Sequence, residues 1–203
     1  DAVAFISKPG EGASRAHLID WVDRIRDRDR YHSVLVFGRA GDLVLASGPD
    51  GARGTMPPIP LDKVLDSQDV VIADLYRALP DGKIYLDLVV PIRPPTAPKS
   101  ASAVGAIVLR VDPDRVLFPM VGTWPVPSET AEALLVRREG EEVVYLTQLR
   151  HRPEAALNLR RPLSEPYLPA AIGLRSDGAV REGLDYRGTP VLAATRRVPG
   201  TPW

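Results

Sequence analysis

The 203-residue chain has no cysteine. Disulfides, thiolate nucleophiles, iron–sulfur clusters and Cys-type zinc sites are excluded together, while the compartment stays open. An excess of either charge is also missing, because 26 Lys and Arg oppose 26 Asp and Glu. Nucleic-acid and anionic-membrane binders need a surplus of Lys and Arg, so no nucleic-acid partner is expected. The longest apolar run, Ala103 to Leu109 (AVGAIVL), falls far short of the ~20 residues that cross a bilayer, and there is no signal-peptide pattern. The first residue is Asp1 rather than Met, which reads as a fragment of a longer protein. What is present is ordinary globular material, 44% hydrophobic and 26% charged, in a chain long enough to fold without disulfides or metal.

After a leading segment with a Pro-Gly break (residues 1–13), a helix is predicted from Ser14 to Arg30. Ser14 is the candidate N-cap, and Leu18, Trp21, Val22 and Ile25 recur at spacings of three and four as one apolar stripe. The alternating Asp and Arg residues of this segment mark a solvated face, with Asp20 and Arg24 placed for an i,i+4 pair. The hydrophobic period then falls to two. Tyr31–Phe37 and Leu43–Ser47 flank the turn GRAGD as a hairpin. A Gly/Pro-rich loop leads to a short helix at Leu61–Ser67. Val70–Arg77 and Ile84–Arg93 form a second hairpin around PDGK, and a Pro/Ser/Ala linker leads to a fifth strand at Val104–Val111. Five antiparallel strands with helices before the first and after the second make an α+β module.

The second half partly repeats this order, with hairpins predicted at 131–147 and 180–198 and a Pro-rich segment (152–169) between them that holds at most short helical turns near Leu168–Ile172. The repeat is one of element order and not of residues. A five-stranded module needs one more strand after these four, so the second module reads as incomplete at a sheet edge, where unpaired backbone groups would be exposed.

The sequence offers no convergent set of reactive groups. Ser47 (in LASGP) and Ser128 (in PVPSET) sit in no G-x-S-x-G elbow and have no histidine close by in sequence. His17, His32 and His151 have no metal-ligand spacing, and PGEGAS and GRAGD lack the glycine pattern of a dinucleotide or P-loop site. No catalytic residue, cofactor or metal ligand is assigned, and the chain is read as non-enzymatic. A binding module needs only a sheet face with a few polar groups. Strict alternation groups Val70, Ile72, Asp74 and Tyr76 on one face of the third strand, and reads Ile84, Leu86, Leu88 and Val90 as core on the fourth, with Tyr85, Asp87 and Val89 opposite. Asp74, Tyr76, Tyr85 and Asp87, on adjoining strands, are the candidate lining of a small polar pocket; the competing reading is a sheet face wetted by solvent. In the second half Arg137, Arg138, Arg150, Arg152, Arg160 and Arg161 offer bidentate clamps for a carboxylate or phosphate, or surface partners for Glu139, Glu141, Glu142 and Glu154.

The stretches from Trp124 to Leu163 (WPVPSETAEALLVRREGEEVVYLTQLRHRPEAALNLRRPL) and Gly183 to Trp203 (GLDYRGTPVLAATRRVPGTPW) resemble extracytoplasmic double Cache segments of bacterial membrane receptors. YHSVLVFGRAGDLVLAS, DVVIADLYR, IYLDLVVPI and AVGAIVLRVDP agree with this group of tandem PAS-like sensors, so the resemblance covers about residues 14–203. It implies a leading segment and helix (1–30), a membrane-distal PAS-like module (31–121) and a membrane-proximal module (122–203) truncated at its last strand. It further implies a parent anchored in the bacterial inner membrane, a periplasmic location, a homodimer through the N-terminal helix, and output through a histidine kinase or diguanylate cyclase. The Arg/Trp/Tyr/Asp signature of the amino-acid-binding subgroup is not matched residue by residue. The expected function is sensing of a small molecule in the distal module. A protein-interaction or dimerisation module without a ligand is the alternative, and a small hydrolase stands third.

Overall fold

The computed structural model describes residues 12–29, 31–49, 55–79, 81–94, 96–98, 101–122, 128, 130–176, 178 and 180–203. The Pro-Gly break of the leading segment and Trp124–Pro127 of the WPVPSE run lie outside the described residues. The chain divides into two compact units, Asp1–Val116 and Leu117–Trp203.

In the first unit, helix α1 (Gly12–Asp29) begins ahead of Ser14, which therefore lies inside the first turn and does not cap it. Leu18 and Val22 are buried, with Ile25 packed beside them, but Trp21 is 39% exposed and stands outside the stripe that the spacing predicts. Strands β1 (Ser33–Gly38), β2 (Leu43–Ser47), β3 (Val71–Arg77), β4 (Ile84–Ile92) and β5 (Gly105–Val111) form one antiparallel sheet in the order β2-β1-β5-β4-β3. Every residue of β1 is buried, which explains why SVLVFG reads as a continuous run and not as alternation.

Elements pack on both faces of this sheet. On one, Val34, Val36, Leu45 and Ile92 pack with Leu18 and Val22 of α1, joined by Ile107 and Leu109. Arg26 of α1 donates to Ser47 Oγ at 2.8 Å, the Ser47 hydroxyl donates to Asp23, and Asp20 pairs with Arg24 at 2.9 Å on the exposed side. On the other face Leu35, Phe37, Val89, Ala106 and Val108 pack with Val64 of the short helix α2 (Leu61–Asp66). Arg93 fastens that helix and the loop after it through the carbonyls of Leu65, Ser67 and Ala101. The competing reading, in which Tyr85 and Asp87 lie on a sheet face wetted by solvent, therefore fails. Tyr85, Asp87 and Val89 are fully buried, while Ile84, Leu86, Leu88 and Val90, read as core from alternation, are only half-buried. The physical reason is that α2 and its loop cover the side that carries Tyr85 and Asp87, whereas α1 packs at the β1–β2 end of the other side and leaves Ile72 of β3 50% exposed.

The second unit carries α3 (Leu117–Gly122), β6 (Val136–Glu139), β7 (Glu142–Tyr145), a 3-10 turn (Pro153–Ala155), β8 (Arg160–Pro162), α4 (Pro169–Arg175), β9 (Val180–Leu184) and β10 (Pro190–Ala194). Its strands form two separate sheets, β6-β7-β8 and β10-β9. Strand β8 lies inside the Pro-rich segment, for which the sequence predicts only short helical turns. Backbone bonds on both sides of Tyr145, to Leu157 and Leu159, draw that segment against β7. The core gathers Val143, Tyr145, Leu149, Leu159, Leu163, Leu168, Ala171 and Tyr186, with the two tyrosine rings edge to face at 5.9 Å.

One glycine in the first unit is fixed by both torsion and space. Gly48 has φ +114°, and a Cβ there would meet the His32 carbonyl oxygen at 2.6 Å. Gly48→Ala should lower the unfolding free energy by about 1–3 kcal/mol. Urea denaturation checks this, and a loss below about 0.5 kcal/mol, the range of neutral surface changes, would contradict it.

Candidate functional site

On the face covered by α2, the alternation that places Val89 and Val108 in the core runs on to Asp87 in β4 and Arg110 in β5, which are direct cross-strand partners. Both side chains are removed from water, at 0% and 3% exposure. Arg110 Nε lies 3.2 Å from Asp87 Oδ1, and Nη2 lies 3.0 Å from Oδ2. Nη2 also donates to the Thr55 carbonyl at 2.8 Å and to the Tyr76 hydroxyl at 2.9 Å. Tyr76 in turn donates to Asp87 Oδ2 at 2.6 Å. The Arg110 guanidinium sits 4.9 Å from the Tyr85 ring centroid. Tyr85 continues the chain outward: its hydroxyl donates to Asp81 at 3.0 Å and lies 3.2 Å from His32 Nε2.

Tyr76 reaches this cluster through a fault in β3. Ala73 pairs with Asp87 and Tyr76 with Tyr85, so Asp74 and Leu75 together oppose Leu86 alone. Such a β-bulge shifts the alternation by one residue and re-aims the side chains beyond it. Strict alternation would put Tyr76 on the face of Ile72 and Asp74, away from Ala73; the bulge instead brings it round to Tyr85 and Asp87. Asp74 sits in the bulge, where its carboxylate accepts the Leu75 N–H at 2.6 Å. Of the four candidate residues, Tyr76, Tyr85 and Asp87 thus converge, and Asp74 occupies the bulge beside them. Sequence reading missed Arg110, the Thr55 carbonyl, His32 and Asp81. Arg110 carries a legible signal: it takes the position two residues after Val108 in an otherwise apolar alternation (Ala106, Val108, Arg110), and an interior arginine requires a buried acceptor.

The electrostatics arise from burial. Desolvation pushes the Tyr76 phenol far above its ordinary value of 10.0, and the adjacent Asp87 charge adds to the rise against the opposing effect of Arg110. Tyr76 therefore stays a proton donor at every physiological pH. Ser33, the other cross-strand partner of Arg110, has a buried hydroxyl without a hydrogen-bond partner among the described residues.

Five of the six arginines singled out in the second half are occupied locally. Arg137 and Arg138 pair with Glu139 and Glu141, Arg160 bridges Glu139 (2.6 Å) and Glu142 (2.9 Å), Arg161 pairs with Glu165, and Arg150 donates to the Ser128 carbonyl. Among the described residues no cluster of His, Asp or Glu is arranged to hold a metal ion.

No protein-family model matches the chain, and no curated protein does. Solved structures do match. The ligand-binding domain of the Pseudomonas fluorescens chemoreceptor CtaA, in complex with L-leucine, aligns over 93% of this chain and 72% of its own, with 12% identity and a TM-score of 0.53. The ligand-binding domain of the Pseudomonas aeruginosa PAO1 amino acid chemoreceptor PctB, in complex with L-Arg, aligns over 90% of this chain and 70% of its own, with 10% identity and a TM-score of 0.52. The sensory domain of the Campylobacter jejuni chemoreceptor Tlp3 (CcmL) aligns over 53% of this chain at 14% identity and a TM-score of 0.40, and the chain spans 44% of its length. The CtaA and PctB matches define the fold as the α+β, PAS/Cache-like fold of chemoreceptor sensory domains.

Two outcomes test the cluster. Asp87→Ala leaves a buried guanidinium uncompensated and should cost about 3–5 kcal/mol, whereas the double replacement Asp87→Leu with Arg110→Met should recover most of that loss. Chemical denaturation of all three proteins checks the contrast, and equal losses in the single and double variants would contradict it. The second outcome concerns pH. The folded state keeps the Tyr76 proton above 10.0 while the unfolded chain releases it there, so this contribution is present below that pH and drains away as pH rises beyond it. Between about pH 8 and about pH 11 the wild-type chain should therefore lose more stability than Tyr76→Phe, read from urea midpoints.

Proposed function

We propose that this chain is the extracytoplasmic sensing region of a membrane receptor, and that its first unit binds a small molecule bearing charged groups at the Asp87–Arg110–Tyr76 cluster. The observation that carries this reading is the desolvated ion pair itself. A buried pair is a poor source of stability, since apolar residues of similar volume often do as well or better, and perturbed, desolvated titratable groups concentrate at functional sites. Ser33 adds a buried hydroxyl with hydrogen-bonding capacity to spare. A carboxylate and a guanidinium side by side match a guest that carries an ammonium and a carboxylate. That class includes the L-leucine and L-Arg held by CtaA and PctB. Asp87 would take the ammonium, Arg110 the carboxylate, and Tyr76 would donate a hydrogen bond to either oxygen set.

No bond is made or broken in this role. The guest acts by binding one arrangement of strands and helices more tightly than another, and only that difference can shift signalling. The parent protein is anchored in the inner membrane, the sensing region lies in the periplasm, and α1 supplies a homodimer contact, for which the exposed Ile19 and Trp21 side chains offer apolar surface. Among the described residues no helix is long and apolar enough to cross a membrane.

The test is a thermal-shift and calorimetric screen of L-amino acids, with carboxylates, amines and sugars as further sets. A ligand at about 100 times its dissociation constant should stabilise the protein by about 2.7 kcal/mol, and the gain should vanish in the Asp87→Leu, Arg110→Met double variant. A shift that survives in that variant would place the guest elsewhere, and no shift from any set would favour a pure interaction module.

A further inference from the structure

Arg152 is the sixth of those arginines, and it has no side-chain partner among the described residues. With Arg160 and Arg161 it lines a cavity of about 490 Å³ in the second unit, completed by Glu154, Asn158 and Leu159. That volume falls in the range of small-molecule sites. The rim is held by the backbone. Leu149 and Arg152 exchange N–H to carbonyl bonds at 3.3 and 3.0 Å, the 3-10 turn follows, and Asn158 N–H returns to the Ala155 carbonyl at 2.9 Å. Leu157 then takes φ +59°, the one positive value on a residue other than glycine among the described residues. A side chain tolerates that conformation only where its surroundings impose it. Here Leu157 N–H bonds the Tyr145 carbonyl at 2.8 Å, Tyr145 N–H bonds the Leu159 carbonyl at 3.1 Å, and Ala155, Ala156 and Leu159 are buried. The reversal sets Arg160 and Arg161 of the edge strand β8 round the same space as Arg152.

Most of the hydrogen-bonding capacity round this cavity is not spent on the protein. A guanidinium carries five N–H donors in one plane. Arg160 gives Nη1 to Glu142 at 2.9 Å and Nη2 to Glu139 at 2.6 Å. Arg161 reaches both oxygens of Glu165 through Nη2 alone, at 2.9 and 3.0 Å, and its buried Nε has no hydrogen-bond partner among the described residues. An orphaned donor of this kind calls for an acceptor that the protein does not supply. The glutamate pairs are partly exposed, and such pairs hold their partners weakly. A guest can therefore share these cations without displacing the glutamates.

We propose that this cavity is a second ligand site, made wholly from the second unit, and that it takes a small oxyanion with two or more negative charges, a polycarboxylate or a phosphate. One carboxylate occupies one guanidinium fork, so three forks round one space suit a multivalent guest. Arg152 meets the guest directly, while Arg160 and Arg161 add the donors that their glutamates leave over. Glu154, the one carboxylate in the lining, repels the guest from its own side and directs it toward the arginines. The proposal does not rest on ligand binding at Asp87 and Arg110.

The test titrates the 203-residue protein with citrate, inorganic phosphate and acetate at constant ionic strength, followed by calorimetry and by NMR of the arginine Nε–H signals. Citrate or phosphate should bind with a dissociation constant below about 1 mM and shift the signals of Arg152, Arg160 and Arg161. Whichever binds tighter names the source of the charge. Acetate should bind at least about tenfold more weakly than that anion. Arg152→Gln should weaken binding of the anion by about tenfold or more. Arg150→Gln, whose guanidinium lies outside the lining, should leave it unchanged. Both arginines are exposed, so both variants should fold, and thermal melts check that they do. Absence of binding by citrate and phosphate alike would overturn the proposal. Equal losses in the two variants would do so too, since diffuse charge and not a site would then attract the anion. A third contrary result is a shift confined to Arg110, which would move the anion to the first unit and leave the amino-acid reading there intact.

Discussion

A carboxylate and a guanidinium taken wholly out of water, one on β4 and one on β5, set the terms for the first unit. Neither Asp87 nor Arg110 tolerates burial alone, so each strand is tied to the register that brings them opposite each other. The remaining hydrogen-bonding capacity is met from separate places. Tyr76 comes from β3, the Thr55 carbonyl from the loop before α2, and the Tyr85 ring lies against the cation. The bulge in β3, the covering loop and the sheet register are therefore all conditions for keeping one pair of opposite charges inside the protein. The arginines of the second unit show the contrast: exposed or half-exposed, they meet nearby glutamates and constrain little.

Much of the first unit is legible in the sequence because its signals are local. The change of period after α1, the turns GRAGD and PDGK, and the run GAIVLRV mark β1 to β5 to within a residue or two at each end. Chemoreceptor sensory domains share that fold at 10–12% identity, so pattern rather than residue identity carries it. The site is legible only in part. Tyr76, Tyr85 and Asp87 stand out as polar residues in apolar strands, but their convergence depends on a bulge that strict alternation does not anticipate. Arg110 escapes notice because its acceptor lies 23 positions earlier in the chain.

The second unit resists reading for a different reason. Its segment 152–169 is rich in proline and short of alternation, yet β8 forms there because β7 offers backbone groups that need partners. Strands such as Arg160–Pro162 are defined by what they lie against and not by their own residues. The hairpin of β9 and β10, by contrast, is plain in the sequence, and both of its strands are largely exposed.

Strand β5 also couples the two faces of the first unit. Its even-numbered side chains, Val108 and Arg110, belong to the charged cluster and its core, while Ile107 and Leu109 rest against α1 on the reverse side. Each contact is thus one peptide unit from the other. A tightly packed interior transmits displacement instead of absorbing it, so a rotation of β5 by a few degrees about its own axis would register on the helix at once, like a key turning in a lock with teeth on both edges.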